Sequence, residues 1–401
     1  QQGRAGVALF ITTVASFVGG SIGILVLSNL TPLIVEVGQA FGPAEYFALI
    51  IFCYVAVSTI GGTDPKKNIA MVLLGGLFGT VGIDLYDGTQ RYTFGYGQLI
   101  DGVSLVPVAM GLFGLSEIIL SIRGSGNRVR HKITLRSMIP AAADWKRMGW
   151  PMIRGAVSGC IFGPLPGTGP SFAAITSYAA EKQIARDPNR FGQGAVEGIA
   201  APESANNAAV QTAFIPTLSL GIPGTPTMAI MIGALMIHGV VPGPLLITQQ
   251  PDLFWGLVAS FWIGNLLLLL LNIPLISVWV SLLNIPYRYL YPAIVVLIAL
   301  GSYSIANSAF DVMLVLAFGI LGYLLRRAGF MPAPLLIGFV LSPLLEENLR
   351  RGMLMGRGDV SYFVASPISA TAIGLSLLLL LFTLVGGPLR RRFGLRAKEV
   401  R

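Results

Sequence analysis

The sequence predicts an all-α polytopic membrane protein built as an inverted repeat, with a re-entrant hairpin and a broken helix in its second half. Three observations carry that expectation. Charged residues make up 11% of the 401-residue chain and apolar residues 54%, with a mean hydropathy of +0.74. A soluble domain carries roughly 25% charged residues, so this chain lacks the groups for a water-facing surface. Runs such as LFWGLVASFWIGNLLLLLLNI (253–273) and VASPISATAIGLSLLLLLFTLVG (364–386) reach bilayer-spanning length. Between apolar runs lies GPLPGTGPSFA (163–173), a tract that interrupts any helix.

Spans are expected at 5–28, 43–60, 69–83, 102–122, 253–273, 289–305, 308–325, 332–345 and 363–386. A duplication relates several of them. VASFVGGSIGILVLSNLTPLI from Val14 and VASFWIGNLLLLLLNIPLI from Val258 share their opening tetrad and closing Pro-Leu-Ile at an offset of 244. FGTVG (78–82) and FGILG (318–322) follow at an offset of 240. Such repeats, with inverted topology, are frequent in secondary transporters. The second copy carries a Pro/Gly-rich block that the first lacks. By repeat arithmetic a sister block of roughly 95 residues is expected upstream of Gln1.

The net charge of +9 could suggest nucleic acid, but the basic residues sit in loops and in the tail RRRFGLRAKEVR (390–401), as orientation signals do. Taking the loop 123–154, with its eight basic residues, as cytoplasmic places all but Arg91, Arg350, Arg351 and Arg357 of the 27 Lys and Arg inside. Residues 84–101 and 346–361 then face the periplasm. Domain boundaries follow: 1–122 is the remainder of the first repeat and 123–151 a basic cytoplasmic linker. Residues 152–347 form the second repeat, with a hairpin at 152–183 and a broken helix at 202–240. Residues 348–401 supply an extra helix and a basic tail.

The irregular block is the candidate site. Non-helical backbone at membrane depth persists only where protein buries it or where it lines a polar cavity. A helix broken there aims free N–H groups at an anion and free carbonyls at a cation. The triplet PGT occurs at 166–168 and again at 223–225, with Asn206 and Asn207 between them. Pro166, Gly167, Thr168, Gly169 and Ser171 mark the first break. Gly221, Pro223, Gly224, Thr225 and Thr227 mark the second. Thr168, Ser171, Thr225 and Thr227, with Thr217 and Ser219, offer hydroxyls, and the two asparagines offer amides. Pro and Gly also kink or pack membrane helices, which suffices for one PG pair but not for two PGT triplets flanking an Asn-Asn pair. On a straight helix the asparagines lie roughly 25 Å from the second break. Either they meet the hairpin tip at 166–171 or the chain unwinds around Pro216 and folds back; the first is expected, with one of them facing Thr168 and Ser171.

Other polar residues read differently. Gly75, Gly76, Gly79 and Gly82 suit helix packing, Asp84, Asp87 and Asp101 a solvated outer loop, and Glu181 and Glu197 the interface. Glu203, within APESANNA, is left open between capping its helix, proton coupling and facing water. Cys53 and Cys160 lie in apolar context, so no disulfide framework is expected. No H-E-x-x-H, C-x-x-C, G-x-S-x-G or P-loop occurs, so zinc, serine-nucleophile and ATPase chemistries lack their parts.

The stretches GAVSGCIFGPLPGTGPSFAAITSYAAEKQ, FGQGAVEGIAAPESANNAAVQTAFIPTLSLGIPGTPTMAIMIGALMIHGVVPGPLLI and GTVGIDLYDGTQRYTFG resemble the large membrane subunit of tripartite tricarboxylate transporters. The resemblance runs over essentially the whole chain. It implies a multi-pass permease of a bacterial inner membrane that imports citrate-like or other organic carboxylates, with Na+ or H+ as coupling ion and no further cofactor. It also implies a small membrane subunit and a periplasmic substrate-binding protein as partners, besides the lipid bilayer. As a carrier the chain is expected to work by an elevator-like motion of its hairpin-bearing domain. By matching position, its PGxG element is Pro166–Gly169, its A-P-E-x-A-N-N-A element Ala201–Ala208, and its L-G-I-P-G element Leu220–Gly224. The rival reading is a non-transporting scaffold or a channel, which would need a continuous polar path.

Overall fold

The computed structural model describes residues 4–60, 64–84, 86–121, 139–282 and 287–392. The chain opens with α1 (Ala5–Gly38), α2 (Pro43–Ile60) and α3 (Pro65–Gly79). A hairpin of β1 (Gly82–Ile83) and β2 (Gln90–Arg91) leads to α4 (Leu105–Ser121). Next come α5 (Ala142–Phe162), α6 (Gly169–Ile184), α7 (Glu197–Thr212) and α8 (Phe214–Leu220). They are followed by α9 (Pro226–Ile237), α10 (Pro244–Gln249), α11 (Pro251–Leu282) and α12 (Tyr287–Ala306). The described chain closes with α13 (Ala309–Arg327), α14 (Pro332–Met355) and α15 (Pro367–Arg392).

Among the described residues three helical stretches are long and apolar enough to cross a membrane: Gly6–Glu36, Pro251–Leu275 and Ala309–Arg327. Four of the other expected spans fall in shorter apolar helices. The one expected at 69–83 is a 15-residue helix that stops at Gly79, because Gly82, at φ +126°, turns the chain into β1. The one expected at 332–345 runs on to Met355, its extra turns tied by the ion pairs Glu346–Arg350 and Glu347–Arg351. Most of the expected basic linker, 122–138, and the end of the tail, 393–401, lie outside the described residues.

The helices that carry and follow the two VASF segments are similar in length. α1 and α11 have 34 and 32 residues, each with an internal proline, Pro32 and Pro274. α2 and α12 have 18 and 20, α3 and α13 have 15 and 19.

The chain divides into two units, Gln1–Gln39 with Leu120–Leu297, and Ala40–Ile119 with Ile298–Arg401. In the first, α7 is the central helix. α5 presents Gly155, Gly159 and Gly163, one turn apart, to Ala201, Ala205 and Ala209 of α7. A methyl at these glycines would fall 2.2, 2.2 and 2.6 Å from the facing carbonyl oxygens, so only glycine permits this approach. α1 meets another side of α7, with Gly19 against Ser204 and Gly23 against Ala208. The core beyond is Ile24, Leu27, Ile215, Leu218 and Phe254. α7 and α8 part at Ala213 because Pro216 has no N–H for the Thr212 carbonyl and its ring crowds it. Outward, α11 exposes Leu266, Leu267, Leu270 and Leu271, an apolar band suited to lipid.

In the second unit, glycines again set the packing. A methyl at Gly75 would collide with the Leu335 carbonyl, and one at Gly338 would lie 2.2 Å from that of Val72. Asp84 departs from the expected solvated loop. It is 3% exposed and paired with Arg350 of α14 and, at 3.6 Å, Arg91 of β2. Those two arginines, with Glu346, fasten the β-hairpin to α14.

Candidate functional site

Each Pro-Gly-Thr triplet ends one helix and starts another, by different means. After α5 the chain turns through 163–168. The Thr168 hydroxyl donates to the carbonyls of Leu165 (2.8 Å) and Phe162, closing the open end of α5. Gly167 and Gly169 have φ of +82° and +66°, a region costly to any residue with a Cβ. α6 then starts with Pro170 in its first turn. It packs back on α5 as a hairpin, with Arg154 paired to Glu181 at its base and the Phe162 and Phe172 rings 5.3 Å apart near its tip. The hairpin's first helix starts at Ala142, ten residues before 152, where Asp144 accepts the Ala141 N–H at 3.0 Å.

At the second break α8 ends on Gly221, left-handed at φ +69°. The chain crosses Ile222, Pro223 and Gly224 and starts α9 behind Thr225, whose hydroxyl accepts the Met228 N–H at 3.3 Å. Thus the first threonine caps the helix before its break and the second the helix after.

The two breaks meet. The Gly167 N–H donates to the Gly224 carbonyl at 3.1 Å. A methyl at Gly224 would touch Pro166 Cα at 3.7 Å, and one at Gly169 would touch Thr225 Cγ2 at 3.8 Å. The starts of α6 (16 residues) and α9 (12 residues) therefore lie side by side. Each helix start carries about half a positive charge and unpaired N–H groups. Thr168 and Thr225 are buried and committed to caps, whereas Ser171 and Thr227, in the first turns of α6 and α9, are exposed. Two helix starts, with a free hydroxyl in the first turn of each, make a donor set suited to a carboxylate. Gly221 lies apart, against the Pro242 carbonyl.

The asparagines take different sides of α7. Asn207 faces α1, where its amide N–H groups lie 3.0 Å from Ser16 Oγ and 3.1 Å from Glu203 Oε1. Ser16 also donates to that carboxylate oxygen at 2.7 Å. Asn207 is thus not the residue at the hairpin tip. Asn206, about 100° around the helix, is left on the side free of α1 and α5, beside the edge where Ala205 and Ala209 meet Ala173 of α6. Glu181 is bound to Arg154 and Glu197 to Arg190. Sequence reading missed Ser16, whose partners lie 187 and 191 residues away and leave no local signal. Among the described residues no three His, Cys, Asp or Glu side chains converge as a metal site.

Comparison with known proteins gives the same picture of relationship. Residues 1–337 match the family model described as "Tripartite tricarboxylate transporter TctA family". A protein of Agrobacterium vitis, described as "Uncharacterized 52.8 kDa protein in TAR-I ttuC' 3'region", is 47% identical over 377 residues, 94% of this chain and 75% of that one. Another from the same organism, "Uncharacterized protein in TAR-II ttuC' 3'region", is 56% identical over 227 residues, 57% of this chain and 94% of that one. No solved structure matches.

Proposed function

The chain belongs to the tripartite tricarboxylate transporter TctA family, and from that premise we propose that it is the permease that moves a small organic carboxylate through the junction of its two Pro-Gly-Thr breaks. The observation that supports this reading is the Gly167–Gly224 hydrogen bond, which sets two helix starts side by side. Carboxylate oxygens are held there by first-turn N–H groups and by Ser171 and Thr227. No guanidinium is needed: Arg154, the hairpin arginine nearer the first break, is spent on Glu181. Neutral donors bind an anion firmly enough to select it and loosely enough to release it, which a carrier requires.

The carboxylate arrives on a periplasmic binding protein, the small membrane subunit completes the complex, and an inward cation gradient drives import across a bacterial inner membrane. The hairpin and the broken helix move as one body. The test is uptake of labelled citrate, a four-carbon dicarboxylate and an aromatic acid into proteoliposomes holding both membrane subunits and the binding protein. Gradient-driven accumulation of one acid supports import. Equilibration without accumulation assigns a channel, and no flux a scaffold; either overturns it.

A further inference from the structure

Glu203 is the one carboxylate of α7 that no basic side chain among the described residues neutralises. Arg4, Arg154 and Arg190 are each held elsewhere, by Asp144, Glu181 and Glu197. A lone carboxylate between membrane helices is costly and marks an ion or proton path. Its neighbours are neutral oxygen-bearing groups. Ser16 Oγ reaches Oε1 from α1 at 2.7 Å, and the Asn207 amide reaches it from the next turn of α7 at 3.1 Å.

One turn further on the same side is Gln211, whose Cβ lies against Gly23 of α1. Its carbonyl oxygen, Oε1, is buried and has no hydrogen-bond partner. A buried amide oxygen left unpaired loses its hydration without return. Glu203, Asn207 and Gln211 stand at intervals of four residues, so they form one polar stripe along the α1–α7 seam. It spans eight residues, about 12 Å of rise. Its far end is level with the hairpin tip, because Gly163 packs on Ala209 and Thr212.

We propose that this stripe binds the coupling cation as a sodium ion, with the Glu203 carboxylate as its counter-charge and the Ser16, Asn207 and Gln211 oxygens as neutral ligands. Hard cations take several oxygens at once, whereas a proton would use the carboxylate alone and leave Gln211 Oε1 unsatisfied. Asn207 offers its N–H groups to the carboxylate in this structure, and a half-turn of its amide brings Oδ1 to the same place. Filling the seam ties α1 to α7 one layer from the first break. The role of this ion as the coupling ion rests on the transport reading above; its binding does not.

The test is direct. Radiolabelled sodium is titrated onto the full chain in lipid nanodiscs by scintillation proximity, with no carboxylate present. Saturable binding is expected, with affinity at least tenfold weaker in Glu203→Gln and in Gln211→Leu, and several-fold weaker in Ser16→Ala, which tests the site from the other helix. Absence of saturable binding in the wild type, or unchanged affinity in variants that reconstitute as the wild type does, overturns the proposal. A failed uptake assay with these sodium results intact would remove the carboxylate reading alone.

Discussion

Gly167 donates its backbone N–H to the carbonyl of Gly224, 3.1 Å away, and so joins two helix breaks that lie 57 residues apart in the chain. Neither residue contributes a side chain. The contact is backbone on backbone, which the glycines permit and the prolines and threonines around them hold in place.

That contact makes an asymmetric forecast for two alanine variants. Gly167 sits at φ +82°, where a Cβ costs about 1–3 kcal/mol. Gly224 is not in that region, and its methyl would meet Pro166 at an ordinary 3.7 Å. Thermal unfolding in detergent should show Gly167→Ala clearly lowered and Gly224→Ala close to wild type. Equal melting temperatures would count against the junction.

The hairpin's seat on α7 can be tested the same way. A methyl at Gly159 would fall 2.2 Å from the Ala205 carbonyl oxygen, whereas one at Gly149 of the same helix meets nothing within 4 Å. Overpacking of this kind costs about 1–3 kcal/mol or more. Gly149→Ala should instead gain up to about 1 kcal/mol from helix propensity. Opposite shifts in unfolding temperature are expected.

Asn206 and Asn207 should separate by phenotype. Losing a hydrogen bond to a charged ligand costs about 1.5–3 kcal/mol, about ten- to a hundredfold in affinity. Asn206→Ala should raise the half-saturating carboxylate concentration by that factor at fixed sodium. Asn207→Ala should instead raise the half-saturating sodium concentration. Uptake curves against each solute check this, and identical profiles would contradict it.

Asp84 gives a pH forecast. The Tyr86 amide N–H, then Arg350 and Arg91, hold its carboxyl below the ordinary carboxylate value. A lowered value means that the folded loop is favoured above the unfolded carboxyl's pKa of about 4 and loses that support as pH falls through the folded value. Hydrogen exchange over 82–91, scaled to intrinsic rates, should stay slow from neutral pH to about pH 5 and rise in stronger acid. Asp84→Asn should exchange fast at neutral pH already.

These contrasts also show what the sequence could reveal. The breaks were legible because proline, glycine and a capping threonine act within a few residues, and PGT at 166–168 and 223–225 says where helices stop. The side of α7 that each asparagine takes was not, because it depends on Ser16, which arrives from a distant helix. The same holds for Asp84. Within IDLYDG it reads as a loop carboxylate, and only Arg350, 266 residues later, makes it buried. The end of α14 was missed because its last turns are polar and rest on ion pairs rather than on an apolar run.

The most direct test of the carboxylate site uses its two free hydroxyl positions. In a background with Cys53 and Cys160 replaced, Ser171→Cys and Thr227→Cys are alkylated with a maleimide in the reconstituted complex, with and without each candidate acid. Met236, exposed on α9 away from the junction, serves as Met236→Cys control. The account predicts that one carboxylic acid slows labelling at both 171 and 227 and leaves 236 unchanged. Labelling at 171 and 227 that no acid slows, while the same acid is taken up, would contradict it.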